Sequence, residues 1–254
     1  MAAGGAPCWH GRVPTLLRAA AADLLLGGRC VGCARPGRVL CPACRQVVAS
    51  SPVFVAPLPS PAPCHAAGVY VDVLREVVTG HKERRLTALR PVLAARLAAA
   101  VAQALGSSSA PVTLVPVPSR PGTARSRGYD PTDAVVRAAR RLLVAAGRDV
   151  RVARLLRSHR GVRDQAGLDA VARRLNLHGS MACSTTALRA LARRRPGLVV
   201  VCDDVLTTGS TVAEAQRALA AVGLRVHAVA AVAATPARPA RPRAPSLPPL
   251  PGPG

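Results

Sequence analysis

Residues 198–211 constrain this chain more than any other stretch: Leu-Val-Val-Val-Cys, then Asp203 and Asp204, then Val-Leu, then Thr207-Thr208-Gly209-Ser210-Thr211. The continuous apolar run over Leu198–Cys202 reads as a strand buried on both faces, and such strands belong to parallel sheets covered by helices. In those sheets ligands sit outside the carboxyl ends of the strands. The turn that follows is small and hydroxyl-rich and opens a helix expected over Val212–Val222. Its first amides and its dipole favour an anion, and Gly209 lets the backbone approach that anion closely. The pattern describes a monophosphate cradle. Asp203 and Asp204, just ahead of it, can accept hydrogen bonds from vicinal sugar hydroxyls or help to hold Mg²⁺. Capping a helix takes one such acid, not two behind an apolar strand. A Walker-type loop is excluded, because no Gly-Lys-Ser/Thr is present and the acids precede the glycine.

The rest of residues 67–235 fits the same architecture. Helices are expected over Val71–Val78, over Pro91–Leu105 with Gly106 as its stop, and over Thr132–Ala146 ahead of Gly147. Val112–Val117 and Leu224–Ala233 read as further strands. Strands alternating with helices argue for an α/β domain, a parallel sheet with helices on both faces. Aromatic residues are limited to Trp9, Phe54, Tyr70 and Tyr129, so the core must be built from Ala, Val and Leu. The same scarcity disfavours a nucleic-acid surface that works by base stacking.

Ahead of this domain, Cys30-x2-Cys33 and Cys41-x2-Cys44 place four thiolates on two tight knuckles separated by seven residues. Two such knuckles meeting at one ion make a closed, four-sulfur site, for which zinc is the expected metal and a structural role the expected one. Cys8 with His10, and Cys64 with His65, are weaker candidates for a second site. Residues 24–49 are therefore read as a zinc ribbon, preceded by an N-terminal segment over 1–23. Ser50–Pro63 holds five prolines, so 50–66 reads as a linker; 236–254 holds eight prolines and no acid and reads as a disordered tail. Val13–Leu26 is broken by Arg18 and Asp23, which argues for a short helix rather than a membrane span or a secretory leader. Paired CxxC motifs without a leader point to a reducing, cytoplasmic setting.

The net charge of +23 comes almost wholly from arginine, since Lys82 is the only lysine. Two origins fit: a coding sequence rich in G and C, or an electrostatic footprint for polyanions such as nucleic acid or phosphorylated metabolites. The lone lysine is informative either way. Arginine would satisfy a coding bias, so a compact ammonium is wanted at position 82, where a ligand contact is one reading and a solvated side chain the other.

The order of strand, acid pair, two residues and Thr-Thr-Gly-Ser-Thr resembles the phosphoribosyl diphosphate (PRPP) signature of type I phosphoribosyltransferases. That resemblance implies that Asp203 and Asp204 face the ribose hydroxyls and Thr207, Thr208, Gly209, Ser210 and Thr211 hold the 5′-phosphate, with Mg²⁺ accompanying PRPP. Many purine-salvage members carry a base-assisting Asp where Thr207 stands, which weakens a purine-salvage assignment. Leu114-Val-Pro-Val-Pro-Ser119-Arg120 is similar to the pyrophosphate loop of the same superfamily. With the cysteine cluster, the chain from about residue 24 to 235 resembles the ComF (competence protein F-like) family. Arg125-Ser-Arg127-Gly128-Tyr129-Asp130 looks like that family's Arg-x-Arg-Gly-aromatic-Asn run, with Asp130 a departure. Gln165, Leu168, Arg173 and Asn176 keep its spacing, and His81-Lys82 resembles its Phe-Lys step.

The resemblance implies a PRPP- or ribose 5-phosphate-binding protein linked to DNA uptake, with Lys82, Ser119, Arg120 and Arg127 as further ligand contacts. Two other expectations stand beside it. One is an active base or nucleotide phosphoribosyltransferase of salvage metabolism. The other is a non-catalytic adaptor that binds single-stranded DNA or a DNA-processing protein.

Overall fold

In the computed structural model, residues 28–119, 130–158, 179–193 and 197–236 are described. Helix α1 (Pro42–Ala49) follows the second CxxC, with the Cys41 sulfur capping it by accepting from the Cys44 amide. Then come β1 (Phe54–Ala56), β2 (Cys64–Ala66), α2 (Asp72–Lys82), a short 3₁₀ turn and α3 (Arg90–Leu105). The chain continues through β3 (Val112–Pro116), α4 (Pro131–Ala145), β4 (Val150–Val152), β5 (Leu156–Ser158) and β6 (Met181–Cys183). It ends with α5 (Thr185–Ala192), β7 (Leu198–Leu206), α6 (Ser210–Ala220) and β8 (Val226–Ala234).

The main sheet has the order β1-β2-β8-β7-β3-β4 and is parallel except for β1, while β5 and β6 form a separate antiparallel pair. Alternation along β7 divides the interior in two. Val200 and Cys202 join the core made with α2, α3 and α4. Val199 and Val201 join the core on the opposite face, made with α6. Strand β8 carries Ala228, Ala230, Ala231 and Ala233 without solvent exposure. Small side chains let helices sit close to the sheet, which is how a core almost without aromatics is filled. The mixed α/β architecture, with a mostly parallel sheet flanked by helices, is as expected.

Several boundaries differ for physical reasons. Helix α2 runs one turn past Val78 to Lys82: no breaker intervenes, Gly80 packs closely on Leu89, and His81 and Lys82 suit the negative end of the helix dipole. Strand β7 runs four residues past Cys202, because Asp203, Val205 and Leu206 still pair with Ala231, Ala233 and Ala234 of β8. The acids thus lie inside the strand rather than after it.

The proline-rich stretch read as a linker supplies strands β1 and β2. Its prolines stand between the strands rather than within them, and β1 is an edge strand, where the loss of donors is tolerated. Nor does the ribbon stand apart: Cys30, Cys41, Cys44 and Val48 share one core with Leu74 and Val77 of α2 and Leu93 of α3. Arg96 of α3, buried, fastens this junction by donating to the carbonyls of Ala49, Ser51 and Ala67. Thr87–Leu105 is long and apolar enough by composition to cross a membrane, but half of it is buried inside the fold, where Leu93, Leu97 and Val101 belong to the core.

Candidate functional site

Two sites take shape, one closed and one open. In the closed one, the sulfurs of Cys30, Cys33, Cys41 and Cys44 all lie within 4.8 Å of one another. The Cys33 and Cys41 sulfurs are 3.7 Å apart. A tetrahedron with metal–sulfur bonds of about 2.3 Å has edges of about 3.8 Å, so the cluster has the size of a four-thiolate metal site. The Cys41 amide donates to the Cys30 sulfur at 3.4 Å. Burial works against a thiolate at Cys30, but the amides of Cys41, Cys33 and Gly32 override it and bring the pKa down to about 6. At Cys44 burial, and then the neighbouring sulfurs, push the thiol up. Four thiolates so close together need a cation, and the donor set fits a soft metal ion.

The spacing of Gly32 is as restrictive as that of the cysteines. A side chain there would lie 2.9 Å from the Cys44 sulfur and 2.9 Å from Cγ1 of Val73 on α2. Of the other two Cys/His pairs, only Cys64 and His65 are described, and they face different partners. Cys8 and His10 fall outside the described residues. The Cys64 thiol is turned to the Ala62 carbonyl, whereas Nδ1 of His65 meets Oε1 of Gln103 at 3.1 Å.

The open site follows from topology. From β3 the chain goes outward to β4, and β7 then returns on the other side of β3, so the strand order reverses between β3 and β7. Crevices at such reversals, beyond the carboxyl ends of the strands, are where α/β sheets bind ligands. Both strands leave the sheet at the same edge: Pro116 is level with Cys202, and the Val117 amide donates to the Cys202 carbonyl at 2.9 Å. Beyond β3, Ser119 is held by Asp130, whose carboxylate accepts from its amide and its hydroxyl, each at 3.0 Å. Asp130 also caps α4 by accepting from the Asp133 amide at 3.1 Å. Asp130 thus has a local task, which an asparagine's single carbonyl oxygen could perform only in part.

At the end of β7, Asp203 is buried and Asp204 nearly so. Nζ of Lys82, at the end of α2, meets Oδ2 of Asp204 at 2.5 Å. Burial opposes a charge on Asp204, but the Lys82 ammonium prevails and holds its carboxyl below the usual carboxylate range. Burial also opposes the Lys82 charge, and Asp204 overrides it, raising the lysine. Asp203 moves the other way, pushed well up by burial and then by the Asp204 charge. Asp203 therefore holds a proton more readily than Asp204, whose charge the Lys82 ammonium favours.

The turn that follows has its glycine in the left-handed region, Gly209 with φ +78°; this N-cap residue has no side chain to offer α6, and the Thr208 hydroxyl accepts from the Ser210 amide at 3.4 Å. The hydroxyls of Thr208 and Ser210 are 2.9 Å apart, Gly209 and Ser210 are buried, and Thr207 is exposed. Thr235, after β8, donates its amide to the Leu206 carbonyl at 2.8 Å and so pins the start of the turn.

A narrow cleft on the α2 side is lined by His81, Lys82, Asp204, Thr132 and the apolar side chains of Val78, Leu93 and Val135. His81 is brought down to about 4 by burial and then by the charge of Arg90. The sequence reading missed the carboxylate clamp beside this edge. Asp133 of α4 is buried and accepts from Nε of Arg154 and Nε of Arg137, both at 2.7 Å. Its position three residues after an N-cap aspartate, in a chain rich in arginine, was the available signal. Arg120, Arg125, Arg127, Gln165, Leu168, Arg173 and Asn176 lie outside the described residues, as do 1–23 and most of the tail. Comparison with protein-family models finds no matching family, and no curated protein matches this chain.

Proposed function

We propose that the protein is a ComF-like, type I phosphoribosyltransferase-fold protein that binds PRPP or a related ribose 5-phosphate ligand in the crevice between β3 and β7. The observation that carries this reading is the end of β7. Two adjacent acids, one of them paired with Lys82, stand shortly before a turn with a left-handed glycine and two paired hydroxyls that opens α6. The 5′-phosphate sits against the first amides of α6, where the helix dipole favours it, with Thr208, Ser210 and Thr211 as hydroxyl donors. The ribose hydroxyls face the carboxyl pair, whose oxygens accept from them. Ser119, fixed by Asp130, lies on the neighbouring strand end, where a diphosphate on C1 of the sugar would extend. Mg²⁺ bound with PRPP would neutralise that diphosphate, with Asp204 its natural carboxylate contact.

In the same reading the four cysteines hold structural zinc. By the family resemblance, the proposed role is in the uptake and processing of incoming single-stranded DNA in the cytoplasm, and a net charge of +23 supports a polyanionic partner. Calorimetric titration with PRPP and Mg²⁺, followed by a pyrophosphate-release screen across nucleobases, tests the reading. Saturable binding is expected. Release with one base would make the protein an active transferase, binding without release a sensor, and no binding would overturn the assignment.

A further inference from the structure

The two sites are joined by one helix. The middle residues of the first CxxC knuckle, Val31 and Gly32, both lie against α2, and they touch it at opposite ends. Gly32 faces Val73 in its first turn so closely that a Cβ on Gly32 would be 2.9 Å from Cγ1 of Val73. Val31 faces the last turn, with Cγ1 3.5 Å from the position a Cβ would take on Gly80. Two residues beyond Gly80, Lys82 meets Asp204. On the same helix Leu74, Val77 and Val78 share their core with Cys30, Cys41 and Cys44. Helix α2 is 11 residues, about 16 Å, and isolated helices of that length are marginal in water. Its order must come from what it packs against, and part of that surface is a knuckle shaped by its own two sulfurs.

We infer that occupancy of the four-cysteine site controls the ligand crevice: the filled site holds the Val31–Gly32 knuckle on α2, and α2 in turn holds Lys82 against Asp204. Lys82 is then a positioning residue as well as a candidate contact, since its ammonium holds the Asp204 carboxylate in place. With the metal removed, the knuckle loses the bond that shapes it, the last turn of α2 loosens, and Lys82 leaves Asp204. Part of this inference, the consequence for ligand, rests on the crevice reading above; the loosening of α2 does not.

Amide hydrogen exchange on the full chain in reducing buffer, zinc-loaded and then stripped by chelator, tests it. Amides of 76–82 are expected to exchange on the order of tenfold faster after stripping and to recover when zinc is added back, while those of β7 and β8 hold their protection. Unchanged exchange over 76–82 in protein shown to have lost its zinc would overturn the inference. If stripping unfolds the whole chain, Val31→Ala decides, because it keeps all four sulfurs and removes one knuckle contact with α2. That variant is expected to retain zinc and show faster exchange over 76–82; wild-type exchange there would overturn the coupling. Ribose 5-phosphate added to loaded protein separates the two readings. If it does not bind while α2 still responds to zinc, the crevice assignment fails and the coupling stands.

Discussion

The cysteine cluster and the β7 crevice reach their chemistry by opposite routes. Every ligand of the cluster comes from 15 consecutive residues, Cys30 to Cys44, and the backbone donors that favour a thiolate at Cys30 come from the same short stretch. The crevice takes its acids from β7, its cradle from the turn after it, its ammonium from α2 and its neighbouring hydroxyl from Ser119 beyond β3. A local site is written in spacing. A site assembled by a sheet is written only where the fold turns a strand end into a surface, and its electrostatics depend on partners far away in the chain. Asp203 and Asp204 are adjacent and identical in type, yet burial and the neighbouring charge raise Asp203, while at Asp204 the Lys82 ammonium overrides burial.

The strongest way to break this contrast is to test whether the local site is also energetically local. Because Cys44 is buried in the core that α2 and α3 share, Cys44→Ser is expected to abolish stoichiometric zinc and to cost the whole domain about 5 kcal/mol or more. Metal analysis with urea unfolding checks it. An unchanged unfolding midpoint in zinc-free variant would return the ribbon to the status of an independent appendage, as the sequence alone suggests.

A smaller effect sharpens the other half. His81 beside the crevice is lowered from 6.5 to about 4 by burial and the charge of Arg90. Between those values the unfolded chain binds the proton that the folded chain refuses, so stability falls as pH drops from about 6.5 to about 4, by about 3 kcal/mol at the lower end. Asp203, raised, contributes the opposite slope, since the folded chain keeps a proton there that the unfolded chain loses as pH rises. The difference between wild type and His81→Leu in urea unfolding across this range isolates the histidine. Parallel profiles would mean that burial at position 81 costs the imidazolium nothing.

These contrasts also explain what could be read without coordinates. The α/β pattern and the cysteine cluster were legible, because apolar periodicity and cysteine spacing are local signals, and the lone Lys82 stood out in a chain otherwise basic through arginine. The contribution of 50–66 to the sheet was not. Proline density signals a linker unless the stretches between prolines pair with something, and what β2 pairs with is β8, more than 160 residues further on. The extension of β7 through the acids was hidden for the same reason, since pairing with the alanines of β8 overrides the low strand preference of aspartate. Arg96 looked like one arginine among many. Only burial beside three carbonyls distinguishes it, and burial is a property of the packed fold.

The central claim is that one crevice recognises a sugar through its carboxyl pair and a phosphate through the turn that follows. Calorimetry with ribose 5-phosphate, ribose and inorganic phosphate, on wild type and Gly209→Val, tests both halves together. A valine at Gly209 would be strained at φ +78° and would put a branched side chain where the phosphate must approach the first amides of α6. The account predicts that ribose 5-phosphate binds wild type at least about tenfold more tightly than either fragment and that Gly209→Val weakens it by about 100-fold, or roughly 2.7 kcal/mol. Phosphate binding as tightly as ribose 5-phosphate, or full affinity in Gly209→Val, would contradict it.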